Sequence, residues 1–316
     1  MKKMNKLRSS FLLLIGVLLL LSGCQTGKDS SNVDNQGKLN VVTTIAQIGE
    51  PLSVIGGDLI AVTSLMGPGV DPHLYKATTG DITKLEKSDV IFYSGLHLEA
   101  NMLEVFNEMG KGKTVVAIGE AVGEDHLFKD ETGAIDPHIW FDIDIWKTAL
   151  GVAVDELIKL LPEHKDTLTA NRDDYFAQLD KLKNESKEKL KQIPSEKRIL
   201  VTAHDAFGYF GAANDVKVVG LQGLSTEDEI GLTDIEDTID LLMEHQVPAV
   251  FIESSINPDS INAVIEGANK NGLDVQLGGE LFSDAMGAEG TPEGTYIGMY
   301  AHNVETISKA LIGEGE

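Results

Sequence analysis

Two α/β lobes joined by one long rigid helix is the fold class the sequence predicts, each lobe Rossmann-like, with a mainly parallel sheet and flanking helices. Three observations predict it. Short β-branched runs alternate with helical patterns over residues 39–162. The same alternation returns over residues 194–316. Between them, residues 163–193 contain neither Gly nor Pro.

In the first lobe "LNVVTT", "LIAVTSL", "DVIFYSG" and "TVVAIG" have the composition of strands, while "DITKLEKS" and "LEANMLEVFNEMG" have helical periodicity. The second lobe supplies the strands "RILVTA", "VKVVGL", "PAVFIES" and "DVQLGG". Its helices are "LTDIEDTIDLLMEHQ", "SINAVIEGANKNG" and "YIGMYAHNVETISKALI". The linking segment, rich in Lys, Asp, Glu and Leu, places Tyr175, Leu179, Leu182 and Leu190 at helical spacing. As one helix it would run roughly 45 Å at 1.5 Å per residue. A helix packed along both lobes predicts limited domain closure, in contrast to a Gly/Ser linker.

The amino terminus is of another kind. Lys2, Lys3, Lys6 and Arg8 precede "FLLLIGVLLLLSGC", a basic segment and then an apolar run short for a membrane span. Residues 1–23 are therefore expected to be an export signal. Its end, Leu21-Ser22-Gly23-Cys24, resembles the lipobox at which bacterial lipoproteins are lipidated and cleaved. Cys24 is the one cysteine of the chain, so no internal disulfide is available. A buried free thiol is the plainer reading, but it does not explain why the residue stands where the signal ends. A diacylglycerol thioether does, and two acyl chains suffice for stable anchoring to a membrane. The polar residues 24–38 then form a flexible tether. Removing the signal leaves 22 of the 26 Lys and Arg residues against 50 Asp and Glu. That balance argues against nucleic acid as a partner and mildly favours cations.

Eight histidines occur. His97, His126, His164, His245 and His302 lie in helical, helix-end or loop patterns and are expected to be ordinary polar positions. His73 and His138 differ, because each follows an Asp-Pro step, in "DPHLY" and "DPHIW". Proline fixes its own φ and drives the preceding residue to an extended conformation, so each His leaves a stiffened backbone. Both also follow strand carboxyl ends, and His204 ends the strand "RILVTA" directly. Ligands of open α/β sheets bind beyond strand carboxyl ends, so the three converge if the lobes face each other. Asp284, in "GGELFSDAMG", would alone be a turn or N-cap residue. With three histidines it completes an N3O set suited to a first-row divalent metal and unlike an all-oxygen calcium site.

Several stretches, "GPGVDPHLYKAT", "DVIFYSGLHLE", "DPHIWFD", "VTAHDAFGYF", "GLQGLSTEDE", "AVFIESS" and "GGELFSDAMG", together resemble one family. It is the zinc/manganese group of bacterial ABC-transporter solute-binding lipoproteins, the TroA-like proteins. The resemblance implies one metal ion in the interlobe cleft, held by His73, His138, His204 and Asp284. It implies delivery to an ABC permease and its ATPase, a lipid-anchored place on the extracytoplasmic face of the membrane, and a monomer. Some manganese-binding members have Glu at the place of His204, and many zinc-specific members carry a His-rich loop where this chain offers only His126. The balance leans to Mn²⁺ over Zn²⁺. A metal-dependent hydrolase would need a base-bearing motif such as HExxH, which is absent, and a surface adhesin would need a receptor-binding patch that nothing identifies. Asp71, Asp136, Asp142 and Asp205 are the carboxylates near enough in sequence to accept a ligand's other ring N–H.

Overall fold

The computed structural model describes residues 37–313. The leader over 1–23, Cys24 and all but the last two residues of the tether lie outside them. The first lobe is a parallel sheet of β1 (Leu39–Thr43), β2 (Ile60–Ser64), β3 (Val90–Tyr93) and β4 (Thr114–Ala117) in the order β2-β1-β3-β4. Val41 pairs with Val62 on one side and Val90 on the other. Val41, Val42, Val90, Ile91 and Phe92 are all buried, as parallel strands covered on both faces require.

The strand order changes direction between β1 and β3, so a crevice opens at their carboxyl ends. Glu99 fills it. Its buried carboxylate accepts the Thr44 hydroxyl at 2.6 Å, the Ser94 N–H at 2.8 Å and the Gly95 N–H at 3.1 Å. Burial raises its pKa against these hydrogen bonds.

Two helices of this lobe are additional to those expected. α1 (Ala46–Gly56) carries Pro51 in its interior, which argues locally against a helix, yet Ile48, Leu52 and Ile55 form a fully buried stripe that outweighs the lost bond. α2 (Thr79–Lys87) and α3 (Leu103–Met109) are the two expected helices. α4 (Ile143–Leu160) is the second addition. It starts where the Asp142 side chain accepts the N–H groups of Asp144 and Ile145, and it buries Trp146, Leu150, Val154 and Leu157.

The linking segment forms α5 (Lys165–Leu190), 26 residues, or about 39 Å. It is shorter than expected at both ends. Pro162–His164 forms a 3₁₀ turn before it, and the N–H groups of Gln192 and Ile193 bond back to Lys189 and Leu190 after it. Leu168, Tyr175, Leu179, Leu182 and Leu190 are buried along it. The helix packs on α1 and α4 of the first lobe and, in the second, on α6 (Gly208–Asn214) and α9 (Tyr296–Ile312). Lys147 pairs with Asp180 at 2.7 Å and Lys183 with Asp144 at 2.9 Å, while Lys189 meets Glu305.

In the second lobe the sheet is divided into two parallel pairs. β5 (Ile199–His204) pairs with β6 (Lys217–Gln222), and β7 (Ala249–Glu253) with β8 (Gln276–Leu281). β5 and β7 lie in contact, but at their carboxyl ends a side chain does the joining: Glu253 accepts the His204 N–H at 2.9 Å. α7 (Leu232–His245), α8 (Asp259–Lys270) and α9 flank these strands, and α6 follows β5. α9 also reaches the first lobe, where the Tyr296 hydroxyl donates to the Trp140 carbonyl at 2.5 Å and the Tyr300 hydroxyl to that of Phe141 at 3.3 Å. The segment that follows His138 is thereby fixed from across the molecule.

Candidate metal centre

Both Asp-Pro-His steps use the same local device. The Asp71 carboxylate accepts the His73 N–H at 2.8 Å, and that of Asp136 accepts the His138 N–H at 2.9 Å. Each aspartate thus folds its own motif into an Asx turn, with proline holding the middle. The other uses of the two carboxylates differ. Asp136 Oδ1 lies 2.7 Å from the His138 Nδ1. Asp71 Oδ2 instead accepts the Thr226 hydroxyl of the second lobe at 2.6 Å. Asn101 adds to the hold on the first motif by donating to the His73 carbonyl at 2.7 Å.

His204 arrives from the last residue of β5 and Asp284 from the loop after β8. The Ser283 carbonyl beside Asp284 accepts Gln47 Nε2 and Trp140 Nε1, each at 3.2 Å and each from the first lobe. The four expected residues converge, with one candidate donor atom from each within 4.8 Å of the others. Asp284 Oδ1 lies 3.3 Å from His138 Nε2. Its Oδ2 lies 3.3 Å from His204 Nε2 and 3.6 Å from His73 Nε2. The His73 and His138 Nε2 atoms are 3.3 Å apart. All four residues are buried.

Buried polar atoms normally have hydrogen-bond partners, and here several do not: neither Asp284 oxygen receives a hydrogen bond and neither His204 ring nitrogen makes one, the Glu253 Oε2 at 2.6 Å from Nδ1 being an ion-pair contact. A cation among these atoms would satisfy them together. Three imidazole nitrogens and a carboxylate suit zinc, manganese or iron, and the set can hold such an ion.

Burial and neighbouring charges shift the three histidines in different directions. Burial pushes His73 down to about 4; Asp284 counters this in part, while the charges of His138 and His204 add to it. Burial also opposes charge on His138, but Asp136 and Asp284 prevail and push it up to about 9. For His204, Glu253 and Asp284 overcome burial and raise it well above the usual value. Burial would raise Asp284, yet His204 and His138 hold its carboxyl well below the ordinary range.

Of the four carboxylates considered from sequence, Asp136 alone faces a ring nitrogen of the cluster. Asp71 serves its backbone and Thr226, and Asp142 caps α4. Among the described residues no hydrogen bond or ion pair joins Asp205 to a ring nitrogen; burial raises its carboxyl, and the charges of His138 and His204 reach it without a direct contact. The carboxylate that sequence reasoning missed is Glu253, whose Oε2 lies 2.6 Å from His204 Nδ1. Its signal was the one that selected His204, a polar residue ending a buried strand, here "AVFIE". Carboxylates on Nδ1 leave Nε2 of both rings facing the cluster. The remaining histidines stand outside it: His97 is exposed, His126 and His164 lie near Asp125 and Glu163, His245 is in the last turn of α7, and His302 meets the Glu280 carbonyl.

Known proteins resemble the chain over most of its length. The chain is 48% identical over 292 residues to the manganese-binding lipoprotein MntA of Bacillus subtilis (strain 168), covering 92% of this chain and 95% of the relative. It is 43% identical over 292 residues to the zinc-binding protein TroA of Treponema pallidum (strain Nichols), with the same coverage. The solved structure of the periplasmic zinc-binding protein TroA from Treponema pallidum superimposes with a TM-score of 0.85 at 44% identity, over 87% of this chain and 99% of that one. Residues 41–310 match the family model of ZnuA, the periplasmic component A of the zinc-uptake complex. The chain belongs to this ZnuA/TroA-like family of metal-binding proteins.

Proposed function

We propose that the chain is an extracytoplasmic solute-binding lipoprotein that captures a divalent transition metal in the interlobe cleft and delivers it to an ABC permease for import. The observation that carries this reading is the buried cluster of His73, His138, His204 and Asp284, whose oxygens lack hydrogen bonds. Residues 39–162 supply two of the ligands and residues 194–316 the other two, with the segment 163–193 as the link. The ligand set is complete within one chain, which supports a monomer. Anchoring through lipidated Cys24 follows from the lipobox-like leader.

The role proposed is capture, not catalysis. Four protein side chains would hold the ion, and among the described residues no further base is identified beside them, whereas catalytic sites usually keep an open position with a base next to it. Manganese is the proposed cargo, supported by the 48% identity to a manganese-binding lipoprotein. Zinc is the second reading, favoured by the third imidazole at His204 and by the 43% identity to a zinc-binding protein. Because any such site binds zinc more tightly than manganese at equal concentration, cargo must be read from transport. Deleting the gene should abolish high-affinity uptake of one ion, restored by the wild-type chain and not by His73→Ala. Undiminished uptake of both Mn²⁺ and Zn²⁺ in the deletion strain would rule the proposal out.

A further inference from the structure

Asp136, the carboxylate behind His138, is gripped from the second lobe as well as by its own loop. Residues 128–136 fold back on themselves: the Asp136 N–H donates to the Phe128 carbonyl at 2.9 Å, and Lys129 bridges Ile135 in antiparallel sense. In a regular antiparallel pair the reciprocal bond would run from the Phe128 N–H to the Asp136 carbonyl. Here the Tyr209 hydroxyl stands between those two groups, accepting from the Phe128 N–H at 3.0 Å and donating to the Asp136 carbonyl at 3.0 Å. The tyrosine ring is buried and stacks on Phe128, with centroids 4.5 Å apart and planes 3° from parallel. The residue before it makes a second contact, since a Cβ on Gly208 would come within 2.9 Å of Asp136 Oδ2.

We infer that Tyr209 is a positioning residue for the metal centre, its hydroxyl fixing Asp136 and, through Asp136, the imidazole of His138. α6, which carries Tyr209, begins four residues beyond His204, so one short segment of the second lobe supplies a ligand and orients another from the first. The hydroxyl bridge joins groups of both lobes and forms only when they are together. Alignment of His138 is thereby tied to contact between the lobes. The inference rests on the reading of His138 as a metal ligand.

The test is a double-mutant cycle on the full chain, with Mn²⁺ and Zn²⁺ each as probe in metal-buffered competition. Tyr209→Phe keeps the ring on Phe128 and removes only the hydroxyl. It should weaken ion binding about tenfold in the wild-type background and cause no further loss in Asp136→Ala, which has no side-chain oxygen left to place against His138. Gly208→Ala, which crowds the Asp136 carboxylate itself where Tyr209 holds the backbone carbonyl, should also weaken the ion and gives an independent variant if Tyr209→Phe folds poorly. An equal loss in both backgrounds overturns the inference, as does a metal-free unfolding midpoint that falls while affinity stays at the wild-type value. A wild-type chain that binds neither ion overturns the functional reading itself, whereas a binding wild type with an unaffected Tyr209→Phe overturns only the role of Tyr209.

Discussion

Glu253 holds His204 twice, accepting its backbone N–H at 2.9 Å with Oε1 and standing 2.6 Å from its Nδ1 with Oε2. The carboxylate sets both the end of β5 and the angle of the ring it presents. Glu253→Gln should weaken metal binding on the order of 10–100-fold, the usual cost of losing a ligand's outer partner. Glu253→Leu should in addition lower metal-free stability by about 1–3 kcal/mol, because the buried His204 N–H is left without an acceptor. Calorimetric titration and denaturant unfolding separate the two effects. Unchanged affinity in both variants would contradict this role.

Proton release is the second expected signature. A metal takes neutral imidazole nitrogen, and the metal-free cluster keeps His138 raised to about 9 and His204 raised well above its usual value. Binding at pH 7 should therefore expel about two protons per ion, with affinity climbing as pH rises toward about 9. Titration in two buffers of different ionisation enthalpy measures the count. Without metal the sign reverses. A raised folded pKa contributes stability that is complete below the ordinary histidine value near 6.5 and is lost as pH rises through about 9. The metal-free chain should lose stability over that interval, and the loaded chain should not.

Asp81 supports the loop that carries His73. It accepts the Tyr75 hydroxyl at 2.6 Å, forms a capping box with Thr78 at the start of α2, and pairs with Lys84 at 3.0 Å. Burial opposes its ionisation, but hydrogen bonds from Thr78, Tyr75 and Lys84 prevail and hold its carboxyl well below the usual range. A depressed carboxyl pKa contributes stability that is present above the ordinary value near 3.9 and is lost as pH falls below it. Asp81→Ala should cost about 1–2 kcal/mol at pH 7, the scale of a lost helix cap, with a smaller difference in acid. Urea unfolding at both pH values measures it.

The strands and the four candidate ligands were legible because each depends on local rules. β-branched runs mark the strands, and polar residues at or beyond strand carboxyl ends stand where open α/β sheets bind ligands. α1 was not legible: Pro51 speaks against a helix locally, and what outweighs it is burial of Ile48, Leu52 and Ile55 against elements distant in sequence. Partners across the molecule were hidden for the same reason. Proximity in sequence suggested Asp205 for His204, but the carboxylate against that residue is Glu253, 49 positions along the chain. Tyr209 lay in the quoted "HDAFGYF", yet its place between Phe128 and Asp136 is a property of two lobes meeting.

The central claim is that His73, His138, His204 and Asp284 form one metal site. Its most direct test follows the unfolding midpoint of the chelator-stripped full chain as buffered Mn²⁺ or Zn²⁺ is added, for the wild type and for each ligand changed to Ala. A ligand that binds only the native state stabilises it by RT ln(1 + [L]/Kd), so the midpoint reports affinity for each ion. The wild-type midpoint should rise with either ion and return with chelator, while each Ala variant should need much higher free metal for the same rise. A wild-type midpoint indifferent to both ions, or Ala variants at His138 and His204 that respond like the wild type, would contradict the site.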